Sequence, residues 1–380
     1  MTGRAVVIGA GSAGLASAAE LGRLGFAVTV LEAGEHVGHR WRNRYRSLRL
    51  NTLRALSALP GLPIPRHHGN WLSGGTFADY LRSYAEHHDL DVLISTPATA
   101  VTRDAGTAWL VDTAEQQLRA DVVVVATGNA AVPVLPSWAA GFTGEILHSA
   151  DYREPEPFAG KDVLVVGSGN SATEIATDLI GHARDIRLSV RTSPLLVPTS
   201  TLGVSTHRMS VLGAGLPDAV WNAAGLSTHW SLYRDLARLG LGQPEVGSHT
   251  RFRETGMAPV AERGFARAVR RHQIQVVTAT ETATGNEVRL SDGTVLRPDA
   301  VVLAIGYRPS FPALLGDLDV LTDNGTPVRW GGPIPGAPGL FVVGAPSLQG
   351  DIREHGREAK RVGRAAAVIT SAHHAHGTTR

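Results

Sequence analysis

Val163-Leu-Val-Val-Gly167-Ser168-Gly169-Asn170-Ser171-Ala172-Thr-Glu174 decides the fold of this 380-residue chain. An apolar run, a glycine turn and a helix start form the local pattern that brings a backbone up to a dinucleotide pyrophosphate. A single glycine turn says little. This one has an echo near the N-terminus, in Val6-Val-Ile-Gly9-Ala-Gly11-Ser12-Ala-Gly14. A second echo follows in each half. Arg119-Ala-Asp-Val-Val-Val-Val-Ala-Thr127-Gly128 returns as Arg297-Pro-Asp-Ala-Val-Val-Leu-Ala304-Ile-Gly306, which leads into Tyr307. Each half opens on a nucleotide turn and closes on a buried strand with a glycine turn, the place where a parallel sheet meets its ligand. The repeat predicts an α/β fold of two Rossmann-like, parallel-sheet dinucleotide-binding domains, the second inserted into the first. The first domain is expected over 1–140 and 315–380, the second over 155–310, with a helical insertion at about 193–260.

The first half is β-α-β in full. Ala5-Val-Val-Ile8 leads into the turn, a helix carries Leu15, Ala18, Ala19 and Leu21, and Phe26 to Leu31 forms the next strand, closed by Glu32 and Ala33. Gly9 permits the tight turn, Gly11 lets the backbone approach the pyrophosphate, and Gly14 lets helix and strand pack closely; Ser12 sits inside the cradle. Glu32, about 20 residues on, accepts ribose hydroxyls and repels a 2′-phosphate. The second half differs at this point. Its strand, from Ile186 to Val190, ends in Arg191-Thr192. An arginine there favours a 2′-phosphate through charge-assisted hydrogen bonds, and Ala172 in place of the third glycine is tolerated. FAD in the first site and NADP(H) in the second follow.

Composition removes several alternatives. The chain is 43% hydrophobic and 18% charged, with a formal charge of +2, and lacks a basic stripe with interleaved aromatics, so nucleic acid is not an expected partner. Zero cysteines exclude disulfide chemistry, thiolate metal sites and dithiol redox centres. The histidine pairs at 67–68 and 87–88 and the tail His373-His374-Ala-His376 stand without a carboxylate at ligand spacing, so no metal is expected. No apolar run reaches the ~20 residues of a membrane span. The expected setting is cytoplasmic, as a monomer or homodimer. Thr76-Phe-Ala-Asp79 reads as a helix start capped by the Thr76 hydroxyl. Strands are expected at 91–95, 98–103 and 108–112, and helices within Val211 to Leu241.

Ahead of the second turn lies Phe142-Thr-Gly144-Glu-Ile-Leu-His148-Ser-Ala-Asp-Tyr152. It matches the F-x-G-x3-H-x3-Y fingerprint, and the chain resembles the flavin-containing monooxygenases, in particular compact bacterial members and the plant YUCCA-type enzymes. That resemblance covers most of the chain outside about 193–260. It implies that NADPH reduces FAD, that oxygen adds at the flavin C4a carbon, and that the hydroperoxide passes one oxygen atom to a small organic substrate. The resemblance places Gly38, Arg40 and Trp41 along the FAD, with His39 where the family has a second glycine. It places Asn51 beside the reacting flavin edge, and gives His148 and Tyr152 the task of positioning the fingerprint segment. A loop at Gly350-Asp351 and a helix from about Glu354 to Ile369 are expected to aim at the flavin pyrimidine edge, although the family's Gly-Asp pair after the last strand is Gly344-Ala345 here. Rivals are a Baeyer–Villiger monooxygenase, whose fingerprint ends differently from Tyr152-Arg153, an NADPH oxidase or flavin reductase producing peroxide, and a nucleotide-binding redox sensor. Amine or sulfide oxygenation and YUCCA-like oxidative decarboxylation both remain open.

Overall fold

The computed structural model describes residues 3–377 except 107, 202 and 317, with side chains described up to 368; the side chains of His373, His374 and His376 lie outside the described residues. The chain divides into two compact units, one built from residues 1–43, 52–132 and 307–380, the other from 44–51 and 133–306.

The first unit is organised on a five-stranded parallel sheet. Its strands run in the order Leu340–Val342, Val122–Val125, Arg4–Ile8, Ala27–Leu31, Asp91–Leu93. Val122, Val123, Val124 and Val125 are fully buried, as expected for a strand covered on both faces. Helix Ser12–Arg23 covers one face, and helix Asp351–Gly377 packs against it. The two approach closely: a Cβ on Gly363 would lie 2.7 Å from Glu20 Cγ. The antiparallel strands Ala98–Arg103, Trp109–Thr113 and Gln117–Ala120 cover the sheet elsewhere, with Trp109 fully buried between them and the core.

Helix Gly74–His87 starts three residues earlier than the sequence suggests. Its cap is Ser73, not Thr76: Ser73 Oγ accepts the Thr76 N–H at 3.0 Å. Two glycines complete the first turn, which the hydroxyl at Thr76 would have cut off. The C-terminal helix likewise begins at Asp351, before Glu354.

The second unit repeats the plan. Its parallel sheet runs Gln275–Val277, Asp185–Ser189, Asp162–Val166, Ala300–Leu303, Glu145–His148. Helix Asn170–Asp178 follows the second glycine turn. The strands Thr280–Thr284, Glu287–Leu290 and Val295–Leu296 form a second antiparallel meander. The turn-rich Thr284-Gly285-Asn286 and Ser291-Asp292-Gly293 are its sequence signal. The two units differ in what fills the last sheet position. In the first it is the final strand of the chain, Leu340–Val342. In the second it is Glu145–His148, which precedes the glycine turn and carries the fingerprint. Between Asp185–Ser189 and Gln275–Val277 lies the insertion, with helices Thr206–Leu212, Asp218–Tyr233 and Ser248–Thr255 and the short parallel pair Leu196–Pro198 with Val260–Glu262. Tyr233 and Leu236 are buried there, whereas Trp230 and Leu232 are exposed.

Candidate functional site

The two glycine turns have the same internal construction. Gly9 has φ +111°, and a Cβ there would meet the Ala126 carbonyl oxygen at 2.6 Å; Gly167 has φ +135°, and a Cβ would meet that of Ala304 at 2.3 Å. Gly9 N–H donates to Leu31 O and Gly167 N–H to Ser189 O. Each turn thus crosses the end of the neighbouring repeat strand so closely that only hydrogen fits. Gly14 is tighter still, its added Cβ falling 1.9 Å from Gly9 O. Ala172 stands in that role in the second turn and is fully buried. Gly11 and Gly169 behave in the opposite way: a Cβ on either meets nothing within 4 Å. Their small size serves no contact within the protein, and the space beside them is open.

Gly11 and Gly169 are also the N-caps of helices Ser12–Arg23 and Asn170–Asp178, and no side chain caps either helix. The first intrahelical bonds run from Leu15 N–H to Gly11 O and from Thr173 N–H to Gly169 O. The preceding N–H groups at each helix start have no intrahelical acceptor, and they lie at the positive end of the helix dipole. An open approach and a set of donors without intrahelical acceptors make both turns fit a pyrophosphate.

The strand ends then separate the two sites. In the first unit Ile8 pairs with Leu31, and in the second Val166 pairs with Ser189. Register therefore makes Val190 the counterpart of Glu32, with Arg191 one residue further on. Glu32 is fixed by its own backbone: Oε2 accepts the Ala10 N–H and Oε1 the Gly34 N–H, both at 2.8 Å. A half-buried valine takes its place in the second unit, followed by exposed Arg191 and Thr192. The carboxylate that would oppose a 2′-phosphate is gone there, and a guanidinium is added.

The other expected residues fall as follows. Ser12 is buried and its Oγ pairs with His355 Nδ1 at 2.9 Å, tying the first turn to the C-terminal helix. Gly38, at φ +68°, donates its N–H to Ala10 O, and Ala33, next to Glu32 in the chain, is exposed. The Arg40 guanidinium binds the carbonyls of Ala130 and Ala131, the second at 2.6 Å, so it closes the loop after Gly128. Trp41 packs edge-on against Phe77, with ring centres 5.0 Å apart. His39 fills the space beside Gly34, where a Cβ would come within 2.2 Å of the imidazole. Thr127 Oγ1 accepts from Ser310 at 3.2 Å, and Gly128 leaves open space at φ +82°. Gly350 turns at φ +97°, and Asp351 accepts the Ser347 N–H at 2.7 Å, which starts the C-terminal helix.

In the second unit the Asn170 side chain is engaged at both ends: Nδ2 donates to Pro259 O at 3.2 Å and Oδ1 accepts the Ala261 N–H at 2.9 Å. Ser168 and Ser171 are half-buried around it, and Ala304 and Gly306 close the neighbouring strand, with half-buried Tyr307 opening the next segment of the first unit.

The fingerprint is built into the second unit's core. His148 is buried at the end of its strand; Nε2 donates to Gly306 O at 3.1 Å and Nδ1 accepts the Ala150 N–H at 3.1 Å. Those bonds define the Nε2–H tautomer, and burial lowers the imidazole pKa, favouring the neutral ring. Tyr152 is 1% exposed, packs on Phe158 and Tyr45, and donates to Asp178 at 2.9 Å. Burial first, then the Asp178 charge, drive its pKa far above the usual phenol value. Asn51 is exposed and follows directly on buried Leu50.

Three residues had no signal in the sequence. Tyr45 and Arg263 hold the 44–51 segment, and Glu358, fully buried, accepts the Gly344 N–H at 2.7 Å and the Ala345 N–H at 3.3 Å. Glu358 thus brings a carboxylate from the C-terminal helix to the place where the Gly-Asp pair is missing. Among the described residues no group of three or more His, Cys, Asp or Glu could hold a metal, and no helix is long and apolar enough to cross a membrane.

Comparison with known proteins bears on the family and the fold. Residues 6–207 match the family model described as pyridine nucleotide-disulphide oxidoreductase. Without a cysteine in the chain, only the nucleotide-binding half of that description applies. The chain is 33% identical over 353 residues, 89% of its length and 83% of the relative's, to a probable indole-3-pyruvate monooxygenase of Arabidopsis thaliana, YUCCA9. The chain belongs to the flavin-containing monooxygenase family. Among solved structures, a double mutant of the flavin monooxygenase from Stenotrophomonas maltophilia superposes with a TM-score of 0.75 at 23% identity, covering 97% of this chain and 99% of that one. OTEMO, in complex with FAD and NADP, superposes at 0.74 with 18% identity, covering 97% and 84%. At those identities the superpositions speak for the two-Rossmann fold.

Proposed function

We propose that this flavin-containing monooxygenase holds FAD at the Gly9–Gly14 turn and NADP(H) at the Gly167–Ala172 turn, and uses O2 to oxygenate a small organic substrate. One observation carries the assignment of the two nucleotides: similar glycine turns end on opposite chemistry, Glu32 in one and Val190-Arg191 in the other. FAD, when bound, supplies the hydride acceptor and the site of oxygen activation. The chain's own residues bind and orient. Glu32, already aligned by two backbone N–H donors, offers its remaining lone pairs to ribose hydroxyls. The uncapped N–H groups after Gly11 and Gly169 receive the two pyrophosphates. Arg191, with Thr192 beside it, receives the 2′-phosphate.

His148 and Tyr152 act as positioning residues in this reading. Both nitrogens of His148 bond backbone, and the Tyr152 hydroxyl donates to a carboxylate, so each fixes the fingerprint and neither is poised to move a proton. Asn51, exposed at the end of the 44–51 segment, is the polar residue that the family resemblance assigns to the reacting flavin edge.

The relatives' names make a 2-oxo acid the first substrate class to test. In that reaction the acid, O2 and NADPH with one proton give the shortened carboxylic acid, CO2, water and NADP+. The test is NADPH consumption by FAD-loaded protein with an arylpyruvate, a sulfide and a tertiary amine in parallel. Product formation matching NADPH use for one class supports the proposal and selects the chemistry. Equal NADPH use in every case, all recovered as hydrogen peroxide, favours the oxidase reading.

A further inference from the structure

Residues 44–51 lie in the sequence between two segments of the first unit, yet they pack as part of the second. We propose that this segment is clasped to the second nucleotide-binding unit by two arms, Tyr45 and Arg263, and that both lead back to helix Asn170–Asp178 after Gly169, Tyr45 directly through Glu174 and Arg263 through the strand that Asn170 pins. The use of the clasp rests on the reading above; its existence does not.

The first arm is Tyr45. Its ring is 3% exposed and stands edge-on to Tyr152, with centres 6.2 Å apart. Its hydroxyl donates to Glu174 Oε2 at 2.5 Å, and Ser171 also hydrogen-bonds it. Ser171 and Glu174 both lie on helix Asn170–Asp178. Burial raises the Tyr45 pKa first, with the neighbouring Glu174 charge adding to it, so the phenol keeps its proton and remains the donor. Glu174 Oε1 is buried without a hydrogen-bond partner among the described residues, so Tyr45 is the carboxylate's principal support.

The second arm is Arg263. Its guanidinium donates to the Arg49 carbonyl at 3.0 Å and the Leu50 carbonyl at 2.8 Å, the two residues before Asn51. Arg263 follows strand Val260–Glu262, and that strand is pinned by Asn170 through Pro259 O and Ala261 N–H. Between the arms, Arg46 N–H donates to Arg153 O at 2.9 Å and the Arg46 side chain pairs with Glu154 at 2.7 Å.

The side chains of Ser171 and Glu174 therefore hold the segment that ends in Asn51 through Tyr45, and that of Asn170 holds the strand that leads to Arg263. Nucleotide binding at the turn and placement of Asn51 share one rigid support. Arg263 and Tyr45 are positioning residues, and NADP+ that orders the helix start also orders 44–51.

Hydrogen exchange read by mass spectrometry tests this in nucleotide-free protein. In wild type the amides of Arg46 and Leu48, both hydrogen-bonded, are expected to exchange slowly. Arg263→Met and Tyr45→Phe are each expected to speed exchange in 44–51 by roughly tenfold or more while strands 162–166 and 185–189 keep wild-type rates. Arg263→Lys, which retains a single point of donation, is expected to fall between. NADP+ is expected to slow exchange in 44–51 of wild type and not of Arg263→Met, with equal NADP+ affinity for both by calorimetry. Wild-type exchange in both variants overturns the clasp. Faster exchange spread evenly over the second unit also overturns it, since that marks a general loss of stability. A clasp that fails this test leaves the FAD and NADPH assignments untouched. If the protein fails to bind NADP+, the nucleotide reading falls and the clasp is still decided by the nucleotide-free variants.

Discussion

Gly11 and Gly14 stand three residues apart and are glycine for opposite reasons, which makes them a sharp pair to test. At Gly14 the protein itself leaves no room, since a Cβ falls 1.9 Å from Gly9 O. Gly14→Ala should destabilise the FAD-free protein by about 1–3 kcal/mol through overpacking, seen as a lower midpoint in chemical denaturation. At Gly11 the protein leaves open space. Gly11→Val should keep the FAD-free protein close to wild-type stability and abolish FAD incorporation, read from flavin absorbance after reconstitution. If Gly11→Val unfolds the protein, the open space belongs to the fold and not to a ligand. The strand ends carry the second prediction at this scale. Arg191→Asp should weaken NADPH binding by roughly ten- to a hundredfold, or about 1.5–3 kcal/mol, with NADH little changed. Val190→Glu, which restores an acid at the register of Glu32, should shift preference in the same direction. Titration calorimetry with both nucleotides decides it. The glycine spacings and the arginine were legible in the sequence. That Val190, not Arg191, is the register partner of Glu32 was not, because strand pairing needs coordinates.

Among the elements, the fingerprint strand and the C-terminal helix do work that their sequences announce only in part. The F-x-G-x3-H-x3-Y spacing was readable as a motif. Its place as the edge strand filling the second sheet was not, since a strand lying before the glycine turn is out of the usual order. The Tyr152 contact to Asp178 joins that strand's loop to helix Asn170–Asp178. Tyr152→Phe should cost about 1–3 kcal/mol of stability, because a carboxylate loses its donor, with FAD content unchanged. On the C-terminal helix, burial pushes the Glu358 carboxyl up from 4.5 to about 7, against the pull of the Gly344 and Ala345 N–H groups and of Arg361, with Glu354 adding to the rise. The sign follows from proton counting. Between those two values the folded protein holds a proton that the unfolded chain has released, so unfolding free energy falls as pH rises through the window and is level above it. Glu358→Gln should lack this fall. The wild-type minus variant stability, measured by denaturation at about pH 5 and about pH 8, should become more negative at the higher pH. A difference that stays constant would mean that Glu358 is ionised throughout. No periodicity marks Glu358 as special among the charges of that helix, and its burial arises from packing against the Gly331 and Gly344 turns.

At the scale of the whole molecule, the internal repeat carried the architecture. Two glycine turns and two matching strands sufficed for a pair of Rossmann-like units, because each motif requires strand, turn and helix in a set order. The meander at 280–296 and the helices of the insertion were less legible, since short exposed strands and helices of mixed character depend on tertiary packing more than on local pattern. The segment 44–51 was least legible of all: its neighbours in sequence belong to one unit and its contacts to the other. The repeat provides for two nucleotides, and membership of the flavin-containing monooxygenase family adds the chemistry: a single path for electrons, from NADPH to FAD to dioxygen, with one oxygen atom delivered to an organic substrate. Labelled dioxygen tests that path most directly. FAD-loaded protein turning over with NADPH, its accepted substrate and isotopically labelled O2 should place one labelled atom in product and the other in water, with one NADPH consumed per product. Label found only in hydrogen peroxide, whatever substrate is supplied, or label absent from product while product forms, would contradict the account.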